Sequence, residues 1–368
     1  MVQTNNSETL YKSLAKAIFL GAGVIIILWF LVKVVSALLL LLFAIVLALI
    51  INQPVTWLEK KKIKRGWASL IIFGIILLVI TLLAWFIGPK ISEQLSTLIN
   101  NLPEYGNNLS KTVGSWFTNY PEVQKEIKLN SKNVSEWLPS VPKTIVQVGN
   151  FSLSLLGGVV IMIVFISMVV YAVANPRPLV ELYLSIFPPV QRAKATAALT
   201  KTSVMLVGWI RANLIGGSIE AVLVTVFLSF MNVPGAWVWG ALALFAELIP
   251  KIGFYIMSIP PILVALSVNS STAIWVIVFF LAMNEVMGDF VMPKLRSSTM
   301  NLHPVSTLFV LLAMGSAFGL TGALLATPLA AIIKAYYEEF YLSRFKEDKQ
   351  MDKRIDNVIY HTKGMGSD

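Results

Sequence analysis

The sequence predicts an all-α, polytopic membrane protein with about eight membrane helices, possible re-entrant hairpins and a short amphipathic helical segment outside the cytoplasm. Of the 368 residues, 57% are hydrophobic and only 13% are charged, whereas an average soluble domain carries about 25% charged residues. The apolar residues form runs long enough to cross the hydrocarbon of a bilayer, which takes about 20 residues. So few charges could not cover a water-facing surface, and we therefore expect lipid to surround most of the chain.

The apolar runs give the order of the expected helices. Residues 17–51 are too many for one perpendicular span of about 30 Å, and we predict two helices that turn near Lys33. The later runs cover residues 68–88, 151–174, 204–231, 237–249, 253–268, 272–292, 305–318 and 321–335. Several of the last runs are only about 14 to 16 residues long, so they form either tilted pairs or re-entrant hairpins, and we favour a hairpin for at least one pair.

The basic residues predict the orientation. The formal net charge is +10, but the Lys and Arg side chains occur in short loops beside apolar runs, which argues against nucleic acid as a partner. The densest basic group is a cytoplasmic loop by the positive-inside rule, and it places the N-terminus and the C-terminal tail in the cytoplasm. That group consists of Lys60, Lys61, Lys62, Lys64 and Arg65.

Four regions follow from these assignments. Residues 1–89 hold N-terminal membrane helices and the basic loop, residues 151–337 form a transport core, and residues 338–368 form a charged cytoplasmic tail. Residues 90–150 begin after the helix-ending pair Gly88-Pro89 and are divided by prolines, including Pro103, into amphipathic pieces outside the cytoplasm. Such pieces lie in the membrane interface or on a neighbouring subunit, so a homo-oligomer is expected.

Ionisable side chains inside the bilayer are the candidate functional residues, because each costs about 2.5 to 3.5 kcal/mol at mid-bilayer. Glu285 and Asp289 are four residues apart, share a helix face with Asn284 beside them, and predict a proton or cation site. The alternative is a structural pair with Lys294 or Arg296, or a helix end in water. The intramembrane charges are Arg211, Glu220, Glu247, Glu285 and Asp289.

Helix-breaking prolines lie beside two of these acids. Glu247 precedes Pro250 and Lys251, and Asp289 precedes Pro293 and a second lysine, which is typical of transporters that build sites from broken helices. The alternative is a structural contact between Glu247 and Lys251. His303 before Pro304 is expected to cap a helix, with a pH-dependent gate as the second interpretation.

No enzyme, metal site or cofactor is expected. The chain has no Cys and only two His, and it lacks a Walker loop, an HExxH or GxSxG motif and a dinucleotide fingerprint. No pair of nucleophile and base stands at helical spacing.

Several motifs together resemble the AI-2E (autoinducer-2 exporter) family. They are GWIRAN at residues 208–213, ELIP at 247–250 followed by Gly253, Pro260, Pro293-Lys294, Leu302-His303-Pro304, and FGLTGALLATPLAA at 318–331, which contains Pro328. The resemblance covers nearly the whole chain. It implies a bacterial inner-membrane transporter, and it adds Asn213 to the candidate site.

The resemblance also implies two activities, since family members have been assigned autoinducer-2 export and exchange of sodium or lithium for protons. The chain departs from the pattern at Lys251, where an aromatic is common, at Phe254, where Pro is frequent, and at Asp289, where an amide is common. Those charges favour ion coupling. The leading hypothesis is export of a small polar solute, coupled to protons or ions, around Glu247, Lys251 and Asp289 with support from Arg211 and Glu220. The alternatives are a Na+(Li+)/H+ antiporter and a non-transporting membrane scaffold.

Overall fold

The computed structural model describes residues 4–116, 154–250, 252–296, 300, 302–344 and 351–360, and all regular structure in these ranges is helical. Five of the described helices are long and apolar enough to cross a membrane, or up to six if one bent pair counts as a single span. The all-α membrane fold is confirmed. The predicted number of about eight membrane helices is not.

Helix α1 spans Thr4–Lys60 without interruption, so the predicted turn near Lys33 is wrong. Lys33 is a single charge with a long apolar stem, which can lie along the helix while its Nζ stays 6.0 Å from the ring of Trp29. One lysine therefore does not break a helix that has no proline near it. If α1 crosses the bilayer once, its two ends lie on opposite sides, and a cytoplasmic N-terminus cannot be combined with a cytoplasmic basic loop.

Helix α2 spans Arg65–Trp116 and continues through Gly88-Pro89 and Pro103, where we expected the helix to end or divide. The extension beyond Pro89 contacts the later helices of the core, and the Gln94 side chain packs on Gly235 in the turn after α5. Such contacts offset the backbone hydrogen bond that a proline removes. The rest of the segment predicted at 90–150 lies outside the described residues.

Helices α3 (Ser154–Ala174) and α4 (Pro176–Ser185) meet at Asn175 with a bend of 85°. The bend lies directly after the apolar run predicted at residues 151–174. A short 3-10 turn (Pro189–Gln191) leads into α5 (Arg192–Phe230), the central helix of the molecule. After a tight turn the chain returns as α6 (Ala236–Ala243) and a 3-10 turn (Ala246–Leu248), also as predicted.

The next helices form a hairpin. Helix α7 (Ile252–Val268) and helix α8 (Ser270–Glu285) turn at Asn269, whose side chain accepts a hydrogen bond of 2.7 Å from the backbone N–H of Thr272. A π-helical segment (Val286–Val291) and the short helix α9 (Met292–Arg296) extend α8. The turn agrees with the polar tract that we expected to join two short helices.

Helix α10 (Pro304–Phe340) is also folded back on itself. Gly319 has φ 60° and ψ −142°, a conformation that interrupts the helix, and a Cβ at Gly322 would overlap the carbonyl oxygen of Met314. In a straight helix these two residues would be about 12 Å apart. The chain therefore reverses at Gly319 into a first arm (residues 304–318) and a second arm (residues 320–340), which confirms the predicted turn.

The apolar cores place α5 at the centre. Val224 and Leu228 of α5 pack with α6, α7 and α8 in the largest cluster, whereas Leu206 and Trp209 pack with α1 and the second arm of α10. The last elements of the described part of the chain are a 3-10 turn (Leu342–Arg344) and helix α11 (Met351–Tyr360).

Candidate functional site

Polar side chains form a stripe along the buried face of α5. Thr202, Trp209, Asn213 and Glu220 follow one another at intervals of seven, four and seven residues, which places them on one side of an α-helix. All four are at most 5% exposed. A polar stripe inside an apolar core needs a function or a partner, because buried polar groups are normally hydrogen-bonded.

Two residues from other elements meet this stripe. The return of the chain through α6 brings Glu247, on the 3-10 turn, against α5, and helix α9 ends there at Arg296. The Arg296 Nη2 donates to Asn213 Oδ1 at 2.8 Å and to Glu247 Oε2 at 3.1 Å. Three separate chain segments are thus joined by one guanidinium.

Glu220 completes this group, which we call the Arg296 cluster: Asn213, Glu220, Glu247 and Arg296. The Glu220 side chain is wholly buried and lies within electrostatic range of Glu247 and Arg296. Neither of its carboxylate oxygens accepts a hydrogen bond within the described residues. These two carboxylates and one guanidinium sum to one negative charge when all are ionised, and a single proton or monovalent cation would neutralise them.

Comparison with known proteins shows the family. The family model described as AI-2E family transporter matches residues 17–342. The chain belongs to the AI-2E transporter family. It is a multi-pass membrane protein of a transporter family, as the motifs predicted.

Relatives of this AI-2E protein are spread over distant bacteria. It is 24% identical to YueF of Bacillus subtilis (strain 168), named as a transport protein, over 81% of this chain and 82% of that protein. It is 25% identical to the AI-2 transport protein TqsA of Escherichia coli (strain K12), over 81% of this chain and 84% of that protein. A transport protein of Haemophilus influenzae is 23% identical over 90% of this chain and 94% of its own length. The names of these relatives describe transport and not catalysis.

The second predicted site, at Asn284, Glu285 and Asp289, is arranged differently from the Arg296 cluster. Asn284 is buried and its Nδ2 lies 2.5 Å from the Tyr255 hydroxyl, which in turn lies 3.5 Å from Glu285 Oε1. Glu285 and Asp289 both have exposed side chains. Glu285 ends α8, and Asp289 lies in the π-helical segment that follows it.

The remaining candidates of this AI-2E chain take varied positions. Arg211 is exposed on α5, Pro250 is buried after the turn that carries Glu247, and Lys251 lies outside the described residues. His303 caps α10 through its Nδ1, which accepts from the Val305 N–H at 3.3 Å, as predicted. The other helix-breaking candidates are Pro260 inside α7, Pro293 in α9, Pro304 at the start of α10 and the buried Pro328 in its second arm.

Sequence reasoning found Asn213, Glu220 and Glu247 but did not place Arg296 with them. We considered Arg296 only as a partner for Glu285 or Asp289, which are closer along the chain. Its charge was the available signal, since a buried acid pair calls for a basic residue from another segment. Within the described residues, no group of three or more His, Asp or Glu side chains is placed to hold a metal ion.

Proposed function

We propose that this protein is a secondary transporter that exports a small polar solute across the bacterial cytoplasmic membrane, coupled to protons or ions by alternating access. The observation that carries the proposal is the Arg296 cluster, in which a wholly buried Glu220 lies beside the Glu247–Arg296 ion pair. Ionisable residues inside membrane proteins are costly and usually mark a substrate or ion pathway.

The cluster supports coupling because its charge is unbalanced. A proton or cation that enters between Glu220 and Glu247 competes with Arg296 for the Glu247 carboxylate. Arg296 is on α9 and Glu247 is on the turn before α7, so breaking this ion pair frees two segments to move apart. Binding of the ion is thereby linked to the position of the helices, which is what coupled transport requires.

The solute is proposed by analogy and by the chemistry of the stripe. TqsA is named as an AI-2 transport protein, and the α5 stripe offers hydroxyl, amide and indole groups besides its carboxylate. These groups suit a neutral, hydroxylated solute of the autoinducer-2 kind, which would give the protein a part in quorum sensing.

The topology is proposed from charge. The basic loop at residues 60–65 adjoins the end of α3, because Arg65 Nε donates to the Val173 carbonyl at 2.9 Å. The end of α10 lies on the start of α5, because Lys194 Nζ donates to Ser343 Oγ at 3.1 Å. The positive-inside rule places this whole end in the cytoplasm.

Transport by reconstituted protein tests the proposal. We expect Glu220→Gln and Glu247→Gln each to lower solute transport in proteoliposomes by about tenfold or more, while the variants still elute as folded protein; removal of a single functional charge commonly costs more than about 1.4 kcal/mol, a factor of ten. Glu181→Gln is the matched control, because Glu181 lies in an exposed pair with Arg177. Wild-type rates in both cluster variants would contradict the proposal.

Na+(Li+)/H+ antiport is the second candidate, and the excess carboxylate of the cluster favours it. Vesicles loaded with a pH-sensitive dye would report proton efflux on addition of Na+ or Li+, and Glu220→Gln should abolish that signal. No proton movement in the wild type would dismiss antiport and leave solute export standing.

A further inference from the structure

We propose that the Arg296 cluster is reached from the cytoplasmic side through an opening between α5 and the second arm of α10, and that the Lys201–Glu338 ion pair holds this opening closed. The proposal rests on the proposed function for what passes through the opening. The position of the opening is argued from the contacts between these two helices alone.

The apolar interface between the two helices contains a few buried polar atoms. On α5, Thr202, Trp209 and Asn213 each have a buried polar atom (Oγ1, Nε1 and Nδ2) without a hydrogen-bond partner in the described part of the chain. On the second arm of α10, Thr327 Oγ1 is in the same state. Proteins rarely leave such atoms unpaired, and where they do a water or ligand is the usual explanation.

Packing contacts place these atoms along the faces of the two helices that meet. Trp209 and Leu206 share a core cluster with Ala331 of the second arm, so the α5 stripe faces that arm. Thr327 precedes Ala331 by four residues and is on the same face of its helix. If the helices separate, water or solute reaches all four atoms and can hydrogen-bond with them.

On the side of α5 that packs against α6, the polar side chains do have hydrogen-bond partners. Where α5 packs on α6, Thr225 Oγ1 bonds to the Ala221 carbonyl at 2.7 Å, and Trp239 Nε1 donates to the Pro234 carbonyl at 3.0 Å. The same residue types, Thr and Trp, are therefore satisfied at one interface of α5 and left without partners at the other. The α5–α6 interface, whose polar atoms have partners, is therefore suited to stay closed. The interface between α5 and the second arm of α10, whose polar atoms lack partners, is suited to open.

The contacts at the proposed cytoplasmic end of this interface, which we call its mouth, are weak enough to break. Lys201 Nζ pairs with Glu338 and lies 3.6 Å from Glu339 Oε1, and these side chains are 25–40% exposed. Beside them, the Tyr336 hydroxyl donates to the Tyr183 hydroxyl at 2.6 Å. Partly exposed ion pairs contribute little net stability, so the Lys201–Glu338 ion pair holds the two helices together only weakly.

Thiol labelling tests the opening directly, since the natural chain has no Cys. We expect Thr202→Cys and Thr327→Cys to react with a charged, membrane-impermeant methanethiosulfonate added to vesicles that expose the cytoplasmic face. Val224→Cys is the control: Val224 is equally buried on α5 but lies beyond Glu220, on the satisfied side. It should stay unlabelled. Adding Glu338→Gln should raise the labelling rate at positions 202 and 327 by about fivefold, the effect expected when a partly exposed ion pair is lost.

A cross-link across the mouth tests whether transport needs the opening. In the double variant Lys201→Cys/Glu338→Cys, oxidation should stop transport and reduction should restore it, while each single-cysteine variant keeps its rate after the same treatment. Labelling at positions 202 and 327 no faster than at 224, or full transport by the cross-linked protein, would overturn the proposal. If the cysteine variants label as expected but the wild type moves no solute or ion, the proposed function is refuted and the opening remains supported.

Discussion

A single guanidinium organises the candidate site at the scale of residues. Arg296 bonds to Asn213 and Glu247 and lies near Glu220, so it compensates buried negative charge contributed by two other segments. Removing one partner of a largely buried ion pair leaves an uncompensated charge, which typically costs about 3 to 5 kcal/mol.

The cost of removing only one partner of the ion pair gives a prediction for stability. Arg296→Gln should lower the free energy of unfolding by about 3 kcal/mol or more, measured as a loss of thermal stability in detergent, whereas Arg296→Gln/Glu247→Gln should recover most of that loss because no unpaired charge is left at this pair. The double variant should remain inactive in transport. If the single and double variants were equally stable, the ion pair would not be buried in the way described.

Glu220 and Glu247 were predictable because charged side chains stand out in an apolar run, whereas Asn213 was added by the family resemblance. Arg296 was not placed correctly, because 49 residues separate it from Glu247 and helical spacing relates only residues within a few turns. Glu285 and Asp289 differ from that group, because both were predicted inside the membrane from the sequence and both have exposed side chains.

The two C-terminal hairpins are the informative feature at the scale of elements. Each turns at a residue whose chemistry requires it: Asn269 caps α8 with its side chain, and Gly319 adopts a positive φ that residues with a Cβ rarely reach. Both turns were predictable from the sequence because turn chemistry is local. The uninterrupted α1 and the continuation of α2 past Pro89 were not predicted. A single lysine does not break a helix that has no proline near it, and packing offsets the hydrogen bond that Pro89 removes.

Gly319 provides the test at this scale. Gly319→Ala should destabilise the protein by about 1 to 3 kcal/mol, because it forces a residue with a Cβ into a strained conformation, and the melting temperature in detergent would report the loss. Gly315→Ala is the matched control, since a Cβ there meets nothing within 4 Å and alanine favours a helix. Equal melting temperatures for the two variants would argue against the hairpin.

At the scale of the whole molecule, the first half of α1 has little contact with the rest of the described chain. Phe19 is 78% and Val32 is 71% exposed, and the residues between them are mostly exposed on every side of the helix. A helix that is apolar all round is suited to lipid or to another membrane helix. We propose that it packs against a second copy of the chain, in keeping with the expected homo-oligomer.

Cross-linking checks this assembly. Ile25→Cys in α1 should form disulfide-linked dimers between copies in dilute proteoliposomes, whereas Val222→Cys, equally exposed on α5, should form markedly fewer. Equal, low yields for both would show that α1 is surrounded by lipid alone.

The topology yields a separate prediction. Because α1 is one helix, Lys12→Cys and Lys62→Cys should react with an impermeant thiol reagent from opposite sides of the membrane, with position 62 on the cytoplasmic side. Reaction of both from the same side would require α1 to bend back in the bilayer, as the sequence alone suggested.

By itself the sequence determined that lipid surrounds most of the chain and that the chain is helical. It also determined the family motifs, the positions of the sharp turns and which side chains are costly to bury. Composition, periodicity and turn chemistry act over short distances along the chain, and the sequence shows them directly. Only the tertiary structure decided that α2 continues past Pro89, that Arg296 joins Asn213 and Glu247, and that the polar stripe of α5 faces the second arm of α10. Each of these depends on which distant segments pack together, and packing is a property of the assembled helices and not of any one of them.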